Sequence, residues 1–372
     1  MRIGILIHSL DGGGGEAVAR LWVTELARRG HHLVCLVYAA ETAEVPAGAA
    51  RVVTFDRTSA ADRWTRLPGW VRQTVRANAL DVVVSVLDFS NITLLRAFSG
   101  RPHHPALVVT EHSVMDLMWR HEGAAGQVKR LLAKGLYRHA DAVIAVSHAV
   151  ATDLRIGQAV PAEKLFVLPN AIAGSADSPG WAEATRPADP RLLYVGRLAP
   201  EKQPALFLDT TLELLSRNSA WRGLMIGDGP SREELTETVS RQGLPIEFAG
   251  WVQPWQELAR AGDCLLMTSD VEGLGNVLVE AAAAGLGCVA PSSALGVADA
   301  VISGVTGVLA RSSRPTDMAD AVIHATALGR QPATVAAWLR NFDPVIAGGR
   351  LEVILQAVVA DATLGVCTSS PR

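Results

Sequence analysis

The chain has 372 residues, of which 49% are hydrophobic and 19% charged, and its formal net charge is −3. At roughly 100–200 residues per domain, this length predicts two or three domains. The composition excludes a disordered or collagen-like chain. The near-neutral charge argues against general electrostatic attraction to nucleic acid.

Cysteine usage and the N-terminal sequence predict a cytoplasmic protein. The four cysteines lie far apart, without the spacing of a zinc site, which favours a reducing compartment. The first ten residues lack a small-residue cleavage site and lead into glycines, so we expect a β-strand there and no signal peptide. No apolar run reaches the ~18 residues that a membrane span requires.

Short apolar runs alternate with helical stretches along the whole chain. Runs that are apolar on both faces are typical of parallel strands covered by helices on both sides. The predicted strands are Arg2–Ile7, Leu33–Val37, Val82–Leu87, Leu107–Thr110, Ala142–Val146, Leu165–Leu168, Leu192–Val195, Leu224–Ile226, Ile246–Phe248, Cys264–Met267 and Gly287–Ala290. Each half therefore predicts a doubly wound, Rossmann-like α/β domain with a parallel sheet.

The predicted domain boundaries follow the composition. Residues 1–172 form the N-terminal domain, and residues 173–190, rich in Gly, Pro, Ser and Asp, form a linker. Residues 191–345 form the C-terminal domain. In residues 346–372 we expect a helix, Leu351–Leu364, and a tail that pack back on the N-terminal domain. Two such domains predict a cleft between the carboxyl edges of their sheets, where open α/β folds bind ligands.

A glycine-rich loop, Asp11–Glu16, follows the first predicted strand and precedes a helix. Glycines let the backbone approach a ligand closely and direct N–H groups at an anion. The spacing Gly12-x-Gly14-x-x-Ala17 matches a dinucleotide fingerprint. The acidic residue that this fingerprint needs after the second strand is absent, apart from Glu41 in a loop, so the NAD interpretation is weak. A tight turn without a ligand is an equal alternative.

Two cations follow the first strand of the second half. Arg197 and Lys202 lie in the segment Leu192–Lys202, and Lys202 is the only lysine after residue 172. Two cations at the carboxyl end of a strand suit a diphosphate, since they neutralise the charge that builds on a leaving group. An ordinary exposed Arg/Lys pair is the alternative.

Two glutamates flank the start of a predicted helix in the segment Thr268–Gly285. Gly273 and Gly275 form a turn, and the helix after it offers unpaired N–H groups that suit a phosphate. Glu272 precedes this helix and Glu280 lies inside it, about 12 Å further along a continuous helix. An acid that satisfies the helix dipole would explain Glu272 but not Glu280 among apolar neighbours.

Together these motifs resemble the signature set of glycosyltransferase family 4, which comprises retaining, nucleotide-sugar-dependent enzymes of the GT-B fold. The resemblance spans Arg2 to about Ala310 in the expected order, and its most specific element is the pair of glutamates with their glycines. The motifs that carry it are the loop Gly12–Glu16, Val195-Gly-Arg-Leu-x-x-Glu-Lys202, Ile226-Gly-Asp-Gly-Pro230, Glu272-Gly-x-Gly-x-x-x-x-Glu280, Val146-Ser-His148 and Leu168-Pro-Asn-Ala-Ile172.

The resemblance implies a role for each site residue. Arg197 and Lys202 would hold the donor diphosphate, Glu280 the ribose, and Glu272 the transferred sugar. His112 would lie near that sugar, and the implied catalytic residues are His112, Glu272, Arg197 and Lys202. The other implied donor-binding residues are Gly14, Gly15, Gly196, Gly227, Trp251, Val252, Gly273, Leu274, Gly275, Asn276 and Val277. Glu16 and His112 would bind the acceptor.

The sequence departs from the family pattern in the segment Ala290–Asp299, which lacks the usual double glycine and glutamate. It also contains no Asp-x-Asp motif, so we expect no cofactor and no metal. The two cations and the helix N-terminus would replace a divalent ion. For a retaining enzyme without an evident nucleophile, we expect the departing phosphate to take the acceptor proton on the same face.

Acceptor identity is the least determined property. Two basic stretches with tryptophans, Arg57–Leu80 and Met118–Arg138, would suit an anionic membrane surface, but interrupting acids favour solvated helices. We therefore expect a UDP-sugar donor and a small-molecule or glycan acceptor, in secondary-metabolite (for example aminoglycoside) or cell-envelope biosynthesis. The alternatives are a lipid-linked acceptor with peripheral contact at the inner membrane, a nucleotide-sugar epimerase, or an inactive nucleotide-sugar-binding protein. The oligomeric state stays open.

Overall fold

The computed structural model describes residues 1–39, 47–55, 59–101, 103–121, 123–172, 174, 190–329 and 331–368. The chain divides into two compact units. The first unit comprises Met1–Ala173 together with Phe342–Arg372, and the second comprises Gly174–Asn341.

The first unit is a seven-stranded parallel sheet with helices between its strands. Its strand order is β3-β2-β1-β4-β5-β6-β7. The elements are β1 Arg2–Ile7, α1 Gly14–Arg28, β2 His32–Val37, β3 Ala49–Thr54, α2 Ala60–Thr65, α3 Leu67–Ala77, β4 Val82–Val86, α4 Asp88–Phe98, β5 Ala106–Glu111, α5 Met115–His121, α6 Gly123–Leu136, β6 Ala142–Ala145, α7 His148–Gly157 and β7 Leu165–Val167. Every residue of the central strands β4 and β5 is buried, because helices cover both sheet faces.

The second unit is a six-stranded parallel sheet with strand order β10-β9-β8-β11-β12-β13. Its elements are β8 Arg191–Val195, α8 Pro204–Arg217, β9 Arg222–Ile226, α9 Arg232–Gln242, β10 Ile246–Gly250, β11 Cys264–Leu266, α10 Asn276–Ala283, β12 Gly287–Pro291, β13 Gly307–Ala310, α11 Pro315–Ala325 and α12 Pro332–Leu339. In both sheets the strand order reverses beside the first strand of the unit, and the loops after neighbouring strands meet at the carboxyl edge.

All eleven predicted strands are present, and the structure adds two that the sequence analysis missed, β3 and β13. Both lie at the edge of a sheet, and both are partly exposed. β3 includes the exposed Arg51, so it does not form a continuous apolar run. Edge position alone does not explain why they were missed, because the edge strands β7 and β10 were predicted.

The C-terminal helix differs from the prediction. Helix α13 runs from Pro344 to Thr368, through the glycine pair that was expected to precede it. The glycines allow close packing on α1, because a Cβ at Gly348 would lie 2.8 Å from Glu25 Cβ. The chain returns to the first unit at Phe342, whereas the predicted boundary was at residues 345/346. The predicted linker, apart from residues 174 and 190, lies outside the described residues.

Side chains of α13 complete the core of the first unit. Leu351, Leu355 and Val358 are buried in the same apolar cluster as Trp22 of α1. At the surface, Glu352 accepts hydrogen bonds from Arg29 Nη1 at 3.1 Å and pairs with His31 Nε2 at 2.8 Å. The helix therefore belongs structurally to the first unit.

Candidate active site

Three loops of the second unit meet at the carboxyl edge of its sheet, after β8, β9 and β10. The Gly196 N–H donates to the Ile226 carbonyl at 3.0 Å, and the Gly227 N–H donates to the Gly250 carbonyl at 2.7 Å. Gly227 has φ +143°, and a Cβ there would lie 1.9 Å from the Gly196 carbonyl oxygen. Only glycine can occupy this position, because the loops touch backbone to backbone.

The two predicted phosphate-binding cations have different surroundings. The Arg197 side chain is 67% exposed, and its Nη1 lies 4.0 Å from Glu201 Oε1. Lys202 ends the short 3₁₀ helix Pro200–Lys202, and its Nζ lies 2.5 Å from Glu272 Oε1. The Lys202 carbonyl also accepts a hydrogen bond from Thr268 Oγ1 at 2.7 Å. The fold thus brings together Lys202 and Glu272, which are 70 positions apart in sequence.

The turn after β11 leads into helix α10 as predicted. Gly275 precedes the helix with φ +83°, and no side chain caps the helix at this position. The first amides of α10 therefore carry the partial positive charge of a helix N-terminus. Gly273, Leu274 and Gly275 are buried, while Asn276 and Val277 are partly exposed at the start of the helix.

The segment that departs from the family pattern packs directly on this turn. Gly296 lies in the 3₁₀ helix Leu295–Asp299, and a Cβ there would lie 2.2 Å from the Gly273 carbonyl oxygen and 2.4 Å from that of Glu272. A single glycine thus permits the contact that fixes the Glu272 backbone.

Glu280, one turn into α10, forms a hydrogen bond that the sequence analysis missed. The indole Nε1 of Trp255 donates to Glu280 Oε2 at 2.6 Å. Burial raises the pKa of Glu280, and the indole hydrogen bond opposes this shift. No local sequence signal points to Trp255, because its partner is 25 residues away. Trp251, one of the implied donor-binding residues, is 58% exposed in the loop after β10, and Val252 next to it is partly buried.

In the first unit, the glycine loop forms the N-terminus of α1. The helix begins at Gly14, and Gly12 has φ +126°. Gly15 packs against Leu87, where a Cβ would lie 3.1 Å from a methyl carbon. Glu16 lies partly exposed in the first turn. Glu41, the acidic residue weighed for the NAD interpretation, lies outside the described residues.

His112 follows β5 and connects to a buried polar network. Its Nε2 lies 3.1 Å from Thr110 Oγ1, which donates to the Ser85 carbonyl at 2.9 Å. Burial lowers the pKa of His112 to about 4, so the imidazole is neutral at pH 7. Burial also raises the pKa of the adjacent Glu111 to about 8. Glu111 accepts hydrogen bonds from Asn91 Nδ2 at 2.8 Å and from the Tyr137 hydroxyl.

Among the described residues, no cluster of three or more His, Cys, Asp and Glu side chains could hold a metal ion. None of the helices in the described part of the chain has the length and hydropathy to span a bilayer.

Solved structures share this architecture. Anabaena Alr3699/HepE in complex with UDP superposes with a TM-score of 0.75 at 20% identity, over 96% of this chain and 100% of that one. The lipopolysaccharide outer core galactosyltransferase WaaB gives a TM-score of 0.74 at 19% identity. Two doubly wound parallel-sheet units with these neighbours define the GT-B fold, which confirms the predicted fold class.

Family models match most of the chain. The model of glycosyltransferase family 4 matches residues 12–173, and that of glycosyl transferases group 1 matches residues 189–327. The chain belongs to glycosyltransferase family 4 and is a glycosyltransferase of the GT-B type, as the sequence resemblance predicted.

Two curated relatives carry specific names. An undecaprenol-diphosphate-linked glycan α-1,4-N-acetyl-D-galactosaminyltransferase of Campylobacter jejuni is 25% identical over 75% of this chain and 76% of its own length. An α-D-kanosaminyltransferase of Streptomyces kanamyceticus is 28% identical over 58% of this chain and 60% of its own length, less than two thirds.

Proposed function

We propose that the protein is a retaining glycosyltransferase that moves a sugar from a UDP-sugar to a hydroxyl of its acceptor. The observation that carries this proposal is the contact of Lys202 with Glu272 directly before the N-terminus of α10. A cation, a carboxylate and helix-end amides are thereby placed side by side. This combination suits the junction between a diphosphate and a sugar, since cations and amides bind phosphate oxygens and a carboxylate accepts from sugar hydroxyls.

In this proposal the positive groups stabilise the leaving nucleoside diphosphate. Lys202 and the first amides of α10 are preorganised by the fold, and the exposed Arg197 can reach a phosphate oxygen without losing a strong partner. Such fixed charges act where negative charge develops in the transition state. They could serve in place of a divalent ion, so we propose a metal-independent reaction.

The proposed transfer proceeds on one face of the sugar. The bond between the anomeric carbon and the diphosphate oxygen breaks, and a bond from that carbon to the acceptor oxygen forms on the same side. The acceptor proton passes to the departing phosphate oxygen, so no protein nucleophile or external base is needed. Glu272 holds the sugar hydroxyls, and we assign His112 and Glu16 to the acceptor side. Because His112 is neutral at pH 7, it can accept the hydrogen bond of a hydroxyl.

The similar proteins support the choice of donor and the range of acceptors. The Anabaena structures contain UDP and UDP-glucose, which favours uridine here. The kanosaminyltransferase relative supports a small-molecule acceptor in secondary metabolism. The Campylobacter relative supports a second candidate, a lipid-linked glycan in cell-envelope biosynthesis. We further propose a cytoplasmic location, since Cys35, Cys264 and Cys288 are buried free thiols.

The test is incubation of the protein with UDP-, GDP- and dTDP-sugars and with candidate acceptors of both kinds, while nucleotide release is followed. We expect nucleotide release that depends on the acceptor. We also expect NMR to show that the product keeps the anomeric configuration of the donor sugar. An altered sugar still attached to its nucleotide would identify an epimerase instead. Binding without turnover on every acceptor would identify an inert binding protein.

Metal independence is tested in the same assay. We expect excess EDTA to leave the transfer rate unchanged, because Lys202, Arg197 and α10 supply the positive charge. A rate lost in EDTA and restored by Mg²⁺ would contradict this part of the proposal.

A further inference from the structure

Trp255 makes an enclosed polar contact in the proposed donor site. It begins the 3₁₀ helix Trp255–Leu258 in the connection from β10 to β11, and its side chain is 2% exposed. Its only hydrogen-bonding group, the indole N–H, donates to Glu280 Oε2 at 2.6 Å. Among the nine tryptophans of the chain, nothing in the sequence distinguishes it.

This contact controls the carboxylate in two ways. An indole N–H can only donate, so it favours the ionised form of Glu280 against the burial that raises its pKa. The indole is also rigid and enclosed, so the oxygen that it engages is held in one place. The second oxygen, Oε1, then has a defined direction and keeps its capacity to accept hydrogen bonds.

We infer that Trp255 is a positioning residue that orients Glu280 toward the ribose hydroxyls, and that the enzyme consequently prefers ribonucleoside diphosphate sugars over 2′-deoxyribonucleoside donors. The inference rests on the proposed function, in which Glu280 binds the ribose. It adds a residue that the motifs of the resemblance do not contain, and it gives a structural reason for the ribonucleoside donor of the proposed function.

The preference follows from the cost of leaving an oxygen of the partly buried Glu280 carboxylate without its hydroxyl partner. A site built to bind a hydroxyl rejects an analogue that lacks it, because the buried polar group is left without a partner. For a hydrogen bond to a charged group, we expect discrimination of roughly 10- to 100-fold. A freely rotating Glu280 could turn its carboxylate elsewhere, so the discrimination depends on Trp255.

The test compares dissociation constants for UDP and 2′-deoxyUDP, which differ only in the 2′-hydroxyl, by calorimetry. For the wild type we expect UDP to bind roughly 10- to 100-fold more tightly. Trp255→Phe keeps most of the packing and removes the N–H. In this variant we expect UDP to bind more weakly while the dissociation constant for 2′-deoxyUDP changes little, so that most of the preference for UDP is lost. The matched control is Trp221→Phe, a buried tryptophan at the amino end of β9, which should keep the wild-type ratio.

A double-mutant cycle shows whether Trp255 acts through Glu280. Glu280→Gln alone should reduce the ratio, and adding Trp255→Phe in that background should have no further effect. If Trp255→Phe does not fold, indole ¹⁵N–¹H NMR of the wild type gives a second measurement. The indole signal displaced by Glu280→Gln should also shift when UDP binds, and less when 2′-deoxyUDP binds.

The outcomes separate the two levels of the proposal. Failure of the wild type to bind UDP, GDP or ADP would overturn both the proposed function and the inference. The inference alone would be overturned if the protein bound UDP and Trp255→Phe kept the wild-type ratio of the two dissociation constants. It would also be overturned if the Trp255 indole NMR signal did not shift when UDP binds.

Discussion

Burial keeps both Glu111 and His112 uncharged at neutral pH, by opposite shifts. The pKa of Glu111 rises to about 8 and that of His112 falls to about 4, because each charged form would lose its solvation. The two residues are neighbours at the end of β5, in the segment Thr110-Glu-His112. A charge on either would lie beside the buried network of Asn91 and Tyr137. The folded first unit therefore favours the uncharged forms of Glu111 and His112.

The Glu111 shift predicts a pH dependence of stability. Its folded-state pKa of about 8 lies above the ordinary value of 4.5. The native state therefore binds this proton more tightly than the unfolded state. The contribution of Glu111 to the free energy of unfolding is complete below about pH 4.5 and is lost as the pH rises through 8. In urea titrations between pH 5 and 8, Glu111→Gln should lose less stability than the wild type. Glu163→Gln, at an exposed position, should show the same dependence of the free energy of unfolding on pH as the wild type. The prediction would be refuted if Glu111→Gln also showed the wild-type pH dependence.

Lys202 makes a prediction for catalysis. It is the only lysine of the second unit, and it contacts Glu272. Lys202→Ala should raise the activation barrier by about 2–4 kcal/mol, as for the loss of one preorganised electrostatic group. This corresponds to roughly 30- to 1,000-fold in kcat/KM. Arg241→Ala, an exposed cation late in α9, should leave kcat/KM unchanged. A loss under tenfold for Lys202→Ala would contradict the assigned role.

At this scale the sequence could predict motif residues but not Trp255. Glu272 and Glu280 are recognisable because glycines and a helix start lie beside them in sequence. The partner of Glu280 comes from the connection after β10, and its position depends on how that loop folds against α10. Local patterns contain no information on a contact of this kind.

Among the elements, glycine contacts hold the loops of the second unit against one another. Gly296→Ala should force the 3₁₀ helix Leu295–Asp299 away from the Glu272 turn, since the added Cβ would lie 2.2 Å from the Gly273 carbonyl oxygen. We expect the free energy of unfolding to fall by about 1–3 kcal/mol. We also expect kcat/KM to fall, because Glu272 is displaced.

The matched control for this substitution is Gly329→Ala, where an added Cβ has no neighbour within 4 Å. It should change the free energy of unfolding by less than about 0.5 kcal/mol, as measured by denaturant titration. If Gly296→Ala changed the free energy of unfolding as little as this control, the contact of Gly296 with the Glu272 turn would not contribute to stability.

Strand prediction found every interior strand and also the edge strands β7 and β10. It missed the edge strand β3, whose exposed Arg51 interrupts the apolar run, and the four-residue edge strand β13. The start of α13 was missed for a different reason. Gly348 and Gly349 favour a break by intrinsic propensity, but tertiary packing against Glu25 and Arg29 overrides it.

For the whole molecule, α13 makes the first unit depend on the last part of the chain. Leu355→Ala removes a fully buried side chain and should lower the free energy of unfolding by about 2–5 kcal/mol. In calorimetry the lowered transition should be that of the first unit, while any separate transition of the second unit stays in place. Val353→Ala, on a side chain that is 65% exposed, is the control and should shift neither. Equal shifts for the two variants would show that α13 does not complete this core.

The return of the chain also has a consequence for synthesis. During translation, Met1–Ala173 leave the ribosome well before the residues of α13 that cover Trp22. The second unit, Gly174–Asn341, is continuous and can finish folding while the nascent first unit still exposes an uncovered apolar surface. Residues 1–173 are thus synthesised before the second unit, but their core is completed only after it, and a chain that stopped before α13 would leave this core uncovered.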